Sequence, residues 1–121
     1  MKRFHAHVYF KDHEISKMKS LMELAQRDPA CPLKIWQLFE HQVGPHALPM
    51  LELHFDESRE SASLEWLAHH RGDFSVLIHE DSGDDVKDHT HPRWLGNPLP
   101  INFDFFDEVK DDPSLAIHSP I

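Results

Sequence analysis

The chain has little cysteine, little glycine and little positive charge. Its 121 residues include one cysteine, Cys31, and four glycines. One cysteine cannot form an internal disulfide, which excludes a disulfide scaffold and favours a reducing, cytoplasmic location. Cys31 lies between Pro29 and Pro32, so we expect a loop residue rather than a nucleophile. No glycine falls in a GxGxxG or GxxxxGK pattern, so phosphate-binding loops of these kinds are excluded.

The chain also lacks a long apolar run. No stretch is long enough to span a bilayer, and the opening MKRFHAHVYF has no apolar segment of the kind found in secretory signals, so no membrane partner is expected. Lysine and arginine number 12 against 21 acidic residues, a net charge of -9. Nucleic-acid binding needs a basic face, so we expect no such partner. The length suits a single domain over residues 1–121.

Histidine, in contrast, is abundant, with twelve residues. Imidazole is the commonest metal ligand and the usual acid or base near neutral pH. The histidines that stand out fall in four short segments: FHAHVYF with His5 and His7, VGPHALP with His46, FSVLIHE with His79, and DHTHP with His89 and His91. Histidines on separate elements form one site only if the fold brings those elements together.

The hydrophobic pattern predicts four strands and two helices. Two-residue alternation indicates strands at 4–10, 33–41, 50–55 and 74–79, and three- and four-residue spacing indicates helices at 14–27 and 58–71. The resulting order βαββαβ is typical of an α+β, ferredoxin-like antiparallel sheet with two helices on one face. In this order the first and third strands are central neighbours, and the fourth strand lies at an edge beside the first.

One face of this sheet has unusual chemistry. Alternation assigns it the side chains of His5, His7, Tyr9, Glu52 and His54, and no predicted helix covers it. The face is then solvated, covered by the C-terminal segment, or buried against a second copy. Because the apolar stretch INFDFF also needs burial, we expect a homodimer, a dimeric assembly of the α+β barrel type.

The residues alone leave several interpretations open. A metal site needs two or three neutral imidazoles, often with a carboxylate and open positions, and His7, His46, His79 and Glu52 could supply these. A subunit interface with no site is one alternative, and Ca²⁺ binding by the acidic run 80–88 is a weaker one because its spacing is not that of an EF-hand. No HExxH or CxxC pair is present. Five other histidines are interpreted as surface residues: His13, His41, His69, His70 and His118.

Four segments together resemble the DOPA 4,5-dioxygenase family of small extradiol-type, ring-cleaving dioxygenases. They are HAHVYF, VGPHALPMLEL, LIHEDSGDDVKDHT and WLGNPLPINFDFF, and the resemblance runs from about His5 to Phe106. It implies that 1–121 is a single domain of this family. The matching positions are His7, Tyr9, Pro45, His46, His79, Asp88, His89, Trp94 and Gly96. The chain departs where the family has Pro-Asn-Thr, since Glu80, Asp81 and Ser82 stand there instead.

The resemblance implies Fe(II)-dependent cleavage of DOPA or a related catechol by O₂, although zinc or nickel can occupy an iron site after purification. The implied metal ligands are His7, His46 and His79, with Glu52 as a candidate carboxylate. His89 and His5 are the candidate bases or substrate contacts, Asp88 a partner that orients an imidazole, and Trp94 a wall of the aromatic pocket. The alternative is a dimeric ferredoxin-like module that binds a metal or small ligand without turnover.

Overall fold

The computed structural model describes residues 1–42, 44–46, 48–90 and 92–102. The predictions that concern His91, His118 and most of the INFDFF stretch lie outside these residues. The elements follow the chain as β1 (Arg3–Tyr9), α1 (Ile15–Arg27), β2 (Lys34–Phe39), β3 (Met50–Asp56), α2 (Glu60–His70), β4 (Val76–Glu80), α3 (Asp85–Thr90) and β5 (Arg93–Leu95). Single 3₁₀ turns, Asp12–Glu14 and Glu57–Arg59, precede α1 and α2.

The five strands form one antiparallel sheet in the order β2-β3-β1-β4-β5. The first four strands have the split βαβ order, so the predicted α+β, ferredoxin-like class is confirmed. The prediction that β4 lies at an edge is wrong, because β5 pairs with it from Val76 to Ile78. A three-residue strand is too short to show alternation in the sequence, which is why it was not predicted.

Helices α1 and α2 cover one face of the sheet and enclose the main core. Ala6 and Val8 from β1 are fully buried there, together with Met18 of α1 and Leu67 of α2. Each such large apolar side chain contributes roughly 1.5–3 kcal/mol when buried. This packing makes β1 a rigid central strand, and it fixes the direction in which the alternate residues of β1 point.

The opposite face is partly covered by α3, whereas no helix was expected there. Its sequence DVKDHT is polar and only six residues long, so it has no apolar stripe that predicts a helix. Side-chain oxygens stabilise it instead: Asp84 accepts a hydrogen bond from the Lys87 backbone at 3.1 Å. Asp88 accepts two bonds from Ser82, from its backbone N at 3.0 Å and its Oγ at 2.6 Å.

The loop before β3 lies over the same face. Gly44 has φ of 58°, a left-handed conformation that favours glycine. The Asn102 backbone N–H donates to the Pro45 carbonyl at 2.7 Å, and His46 forms an isolated bridge with Ile101. These contacts hold the loop against the chain that follows β5. Among the described residues, helices fall short of the length and apolar character that a bilayer crossing requires.

Candidate metal centre

Three neighbouring strands contribute polar side chains to one spot on this second face. Strand β1 lies between β3 and β4, and its His5 is paired in register with His54 on one side and with His79 on the other. His7 is paired with Glu52. Directly paired residues of antiparallel strands place their side chains on the same face. The alternation of β1 and β3 therefore brings together residues that lie about fifty to seventy positions apart in the sequence.

His7 lies at the centre of this arrangement and is completely buried. Its Nε2 is 2.9 Å from Nε2 of His79. Its Nδ1 is 3.0 Å from Sδ of Met50 and 3.6 Å from Oε1 of Glu52. A thioether sulfur only accepts hydrogen bonds, so the proton of neutral His7 belongs on Nδ1. Its Nε2 then presents a lone pair toward His79.

His79 presents a lone pair in return. Its Nδ1 is 2.8 Å from the backbone carbonyl of Glu80, an acceptor, so Nδ1 donates and Nε2 carries no proton when the ring is neutral. Two imidazole lone pairs that face each other across 2.9 Å repel unless a cation lies between or beside them. The pair thus fits a bound metal ion, which accepts both lone pairs.

Two further histidines complete a buried group. His46 reaches it from the loop before β3, and its ring centroid lies 4.3 Å from that of His7. His89 reaches it from α3, with its ring centroid 4.2 Å from that of His79 and 5.4 Å from that of His46. All four rings are at most 3% exposed. We refer to His7, His46, His79 and His89 as the imidazole cluster.

Tyr9 fixes the orientation of His46. Its hydroxyl lies 2.6 Å from Nδ1 of His46, and its ring is buried beside Trp94, with the centroids 6.0 Å apart. Burial raises the pKa of Tyr9, so the phenol stays protonated at neutral pH. Nε2 of His46 has no hydrogen-bond partner among the described residues. With the ring proton on Nδ1 and donated to the Tyr9 oxygen, neutral His46 keeps the lone pair of Nε2 at its buried end, which is the arrangement that a metal ligand has.

Three members of the imidazole cluster, His7, His46 and His79, are held in their neutral form. Burial is the main cause of the lowered pKa of His7, His46 and His79, and repulsion between the neighbouring imidazoles lowers it further. The pKa falls to about 3 for His46 and to about 2 for His79, and for His7 it lies well below its usual value. Neutral imidazoles keep the lone pair that a divalent metal needs, and they avoid the cost of burying several positive charges.

Within the part of the chain that the structure describes, three sets of side chains have ligand atoms that all lie within 4.8 Å of one another: His5, His7 and His79; His7, His46 and His89; and His5, Glu52 and His54. The trio predicted as metal ligands is divided between the first two sets, which share His7. His89, predicted as a base, lies among the ligand-type histidines. Glu52, predicted as a further ligand, falls in the third set with His5, the other predicted base.

An open groove of about 600 Å³ lies beside this centre. Its walls include His5, Glu52 and His54, and Trp36 at its rim is 57% exposed. Asp81, one of the residues that depart from the family pattern, also lines it, and its Oδ2 lies 3.4 Å from Nε2 of His5. Two of the wall residues contact the imidazole cluster: the ring centroid of His5 lies 5.1 Å from that of His79, and Oε1 of Glu52 lies 3.6 Å from Nδ1 of His7.

Two contacts in the groove wall could not be predicted from the sequence. Alternation along β3 places His54 on the polar face but gives it no role, and in the structure its Nε2 lies 2.6 Å from Oε2 of Glu52. Trp36 was not noticed, and its ring stacks on His54 with centroids 4.6 Å apart. Asp88, predicted to orient an imidazole, accepts two hydrogen bonds from Ser82. Of the histidines assigned to the surface, His13, His41 and His69 are exposed and His70 is half-buried.

Comparison with known proteins supports the resemblance. A model described as the Dopa 4,5-dioxygenase family matches residues 4–105. A protein of Botryotinia fuckeliana, named "Uncharacterized 21.2 kDa protein", is 30% identical over 88% of this chain and 64% of its own length. A DOPA 4,5-dioxygenase of Amanita muscaria is 23% identical over 84% of this chain and 48% of its own length. The chain therefore spans about half to two thirds of the length of these curated relatives.

A solved structure has the same fold. It is the crystal structure of a protein from Nostoc punctiforme described as a "putative dioxygenase". It is 29% identical to this chain, covers 90% of it with 94% of its own length, and superposes with a TM-score of 0.77. The sheet and helices described above are thus shared with a relative of nearly the same extent.

Proposed function

Because the chain belongs to the Dopa 4,5-dioxygenase family, we propose that it is a metal-dependent dioxygenase that cleaves the ring of a catechol, DOPA or a relative of it, with O₂. The observation that carries the metal dependence is the 2.9 Å approach of Nε2 of His7 to Nε2 of His79, two buried rings whose Nδ1 atoms each lie beside an acceptor. The name of the Amanita muscaria relative, DOPA 4,5-dioxygenase, supports the substrate class.

In this proposal the metal is Fe(II), held by His7, His46 and His79, with His89 beside them. When bound, the ion would supply Lewis-acid and redox chemistry for the reaction of the catechol with O₂. Glu52 lies 3.6 Å from Nδ1 of His7, beyond hydrogen-bond distance, and a carboxylate on that side of the ring favours the proton on Nδ1 electrostatically, which leaves Nε2 for the ligand position. A carboxylate behind a ligating imidazole commonly has this orienting role.

The groove gives the catechol a place beside the cluster. His5 lies in its wall, only 7% exposed, and is the candidate base that takes the first hydroxyl proton. Asp81, 3.4 Å from Nε2 of His5, stabilises the imidazolium that forms. Tyr9 and Trp94 close the opposite side of the cluster to water, because both rings pack there against Met50 and Leu77. Excluding water there protects the reacting ring from side reactions.

Oxygen uptake tests this function most simply. The protein is loaded with Fe(II) without air and then mixed with DOPA or a simpler catechol in the presence of isotope-labelled O₂. We expect uptake, and a ring-opened product that carries both labelled oxygen atoms by mass spectrometry. His79→Ala should lose this activity, whereas His41→Ala, a change at an exposed histidine, should keep it. A folded, iron-loaded protein that consumes no O₂ with a panel of catechols would favour the non-catalytic binding module instead.

The homodimer remains part of the proposal. The second face carries a second apolar cluster, centred on Tyr9, Met50 and Leu77 with partly buried Trp94 and Ile101 around it. A second copy placed against this face would complete its burial. Sedimentation at micromolar concentration should give the mass of a dimer, and a clean monomer would contradict this part.

A further inference from the structure

We propose that His5, Glu52 and His54 form a second site for a divalent transition-metal ion, in the groove wall and separate from the imidazole cluster. Their ligand atoms all lie within 4.8 Å of one another. The inference does not rest on the proposed function, since it concerns the binding of an ion and not the turnover of a catechol. An ion bound here would use the lone pair that His5 needs as a base, so the two roles of His5 are alternatives.

The donor set has the composition that such ions prefer. Two imidazoles and one carboxylate are the ligands of the two-histidine, one-carboxylate sites that hold Fe(II) and related ions with positions left open. The rings of His5 and His54 are parallel, with an interplanar angle of 5° and centroids 4.1 Å apart. They are paired in register on β1 and β3, so the sheet itself holds the two rings side by side.

The surroundings of Glu52 support the site independently of the ring geometry. Its carboxylate is completely buried, and among the described residues it contacts two imidazoles: Oε2 is 2.6 Å from Nε2 of His54, and Oε1 is 3.6 Å from Nδ1 of His7. Oε1 makes no hydrogen bond with the described residues. A buried carboxylate is costly unless a cation compensates it, and a metal ion shared with His5 and His54 supplies that charge.

The site is open to exchange, unlike the imidazole cluster. The side chain of His54 is 26% exposed and lines the groove together with His5, Glu52 and Trp36. An ion can therefore enter and leave from solvent without unfolding the sheet. Because the site lies in the groove wall, a bound ion would put a positive charge next to an anionic or catecholate ligand that enters the groove.

Trp36 provides a built-in reporter. Its ring stacks on His54 with centroids 4.6 Å apart, so a paramagnetic ion bound to His54 quenches its fluorescence. Of the three tryptophans, Trp94 lies near the imidazole cluster through Tyr9, and Trp66 packs in the core on the helical side. Quenching of Trp36 and quenching of Trp94 therefore report on different sites.

The experiment is a titration of the metal-free full chain with Co²⁺, followed by tryptophan fluorescence and by the number of ions retained per chain. Wild type should bind two ions. Trp36→Phe should retain both ions but lose one component of the quenching. His54→Phe keeps a ring stacked on Trp36 and removes the nitrogen donor. This variant should retain one ion and lose the Trp36 component of the quenching. Co²⁺ affinity at this site should fall by more than about 100-fold, which exceeds the loss usual when a residue that only hydrogen-bonds to a metal ligand is removed. His41→Phe is the matched control and should behave as wild type.

Two further variants keep the test decisive. His54→Gln should repeat the result of His54→Phe, which excludes an effect of the new ring. His46→Ala should keep the Trp36 component and lose the other ion. The proposal is overturned if wild type binds a single ion without quenching Trp36, or if folded His54→Phe and His54→Gln both retain two ions with unchanged quenching. Neither result bears on oxygen uptake, so the failure of this site and the failure of the proposed function are distinguishable.

Discussion

Acidification of the metal-free protein should destabilise it steeply, because three histidines of the cluster are kept neutral in the folded state. The pKa of His46 is lowered to about 3, that of His79 to about 2, and that of His7 well below its usual value. In the unfolded chain the pKa of each histidine is about 6.5. Because these pKa values are lower in the folded state than in the unfolded state, the contribution of the histidines to the free energy of unfolding is complete above about pH 6.5. It is lost as the pH falls toward about 3.

The magnitude follows from the number of protons and does not depend on the exact lowered values. Each proton taken up only by the unfolded chain contributes a slope of about 1.4 kcal/mol per pH unit, so three protons give about 4 kcal/mol per unit. At about pH 5 the loss is about 2 kcal/mol for each histidine and about 6 kcal/mol for the three. That equals much of the usual stability of a domain, about 5–15 kcal/mol.

Urea unfolding of the metal-free protein at several pH values between about 6.5 and 4.5 measures this slope. His46→Gln removes one of the three protons and should reduce the slope by about a third. His41→Gln, at an exposed position, should leave it unchanged. A wild-type slope no steeper than that of a single proton would refute the reasoning, because the cluster would then be protonated while folded.

Three further substitutions probe separate parts of the structure. Tyr9→Phe removes the hydroxyl that lies 2.6 Å from Nδ1 of His46. It should lower the free energy of unfolding by about 1–2 kcal/mol in urea unfolding. It should also weaken Co²⁺ binding at the imidazole cluster by about 10–100-fold in a titration. Leu67→Ala empties a fully buried core position and should cost about 2–5 kcal/mol in urea unfolding while Co²⁺ affinity is unchanged. Gly96→Ala should cost about 1–3 kcal/mol in the same assay, because φ is 77° and the new Cβ would lie 2.6 Å from Nη1 of Arg71.

The sheet could be predicted where the pattern was long enough. Seven-residue strands such as β1 and β3 show clear alternation, and the order of elements then made them neighbours, which brought His7 and Glu52 together. Strand β5 and helix α3 were missed because three and six residues carry no readable period. Their positions depend on tertiary contacts, such as the bonds between Ser82 and Asp88.

The candidate site was predictable as a set of residues and not as a geometry. Alternation placed His5 and Glu52 on one face, and the family resemblance selected His46 from a loop whose path no periodicity describes. The sequence could not show that Glu52 faces His7 with one oxygen and His54 with the other. It also could not show that the His89 ring contacts the rings of both His46 and His79, because that depends on where α3 packs on the sheet.

The most direct test of the central claim is an anomalous-scattering map at the iron edge, from crystals grown without air in the presence of Fe(II). The account predicts a strong peak bounded by the imidazole nitrogens of His7, His46 and His79. A peak at His5 and His54 alone, or no peak beside the three buried histidines in iron-soaked crystals, would contradict it.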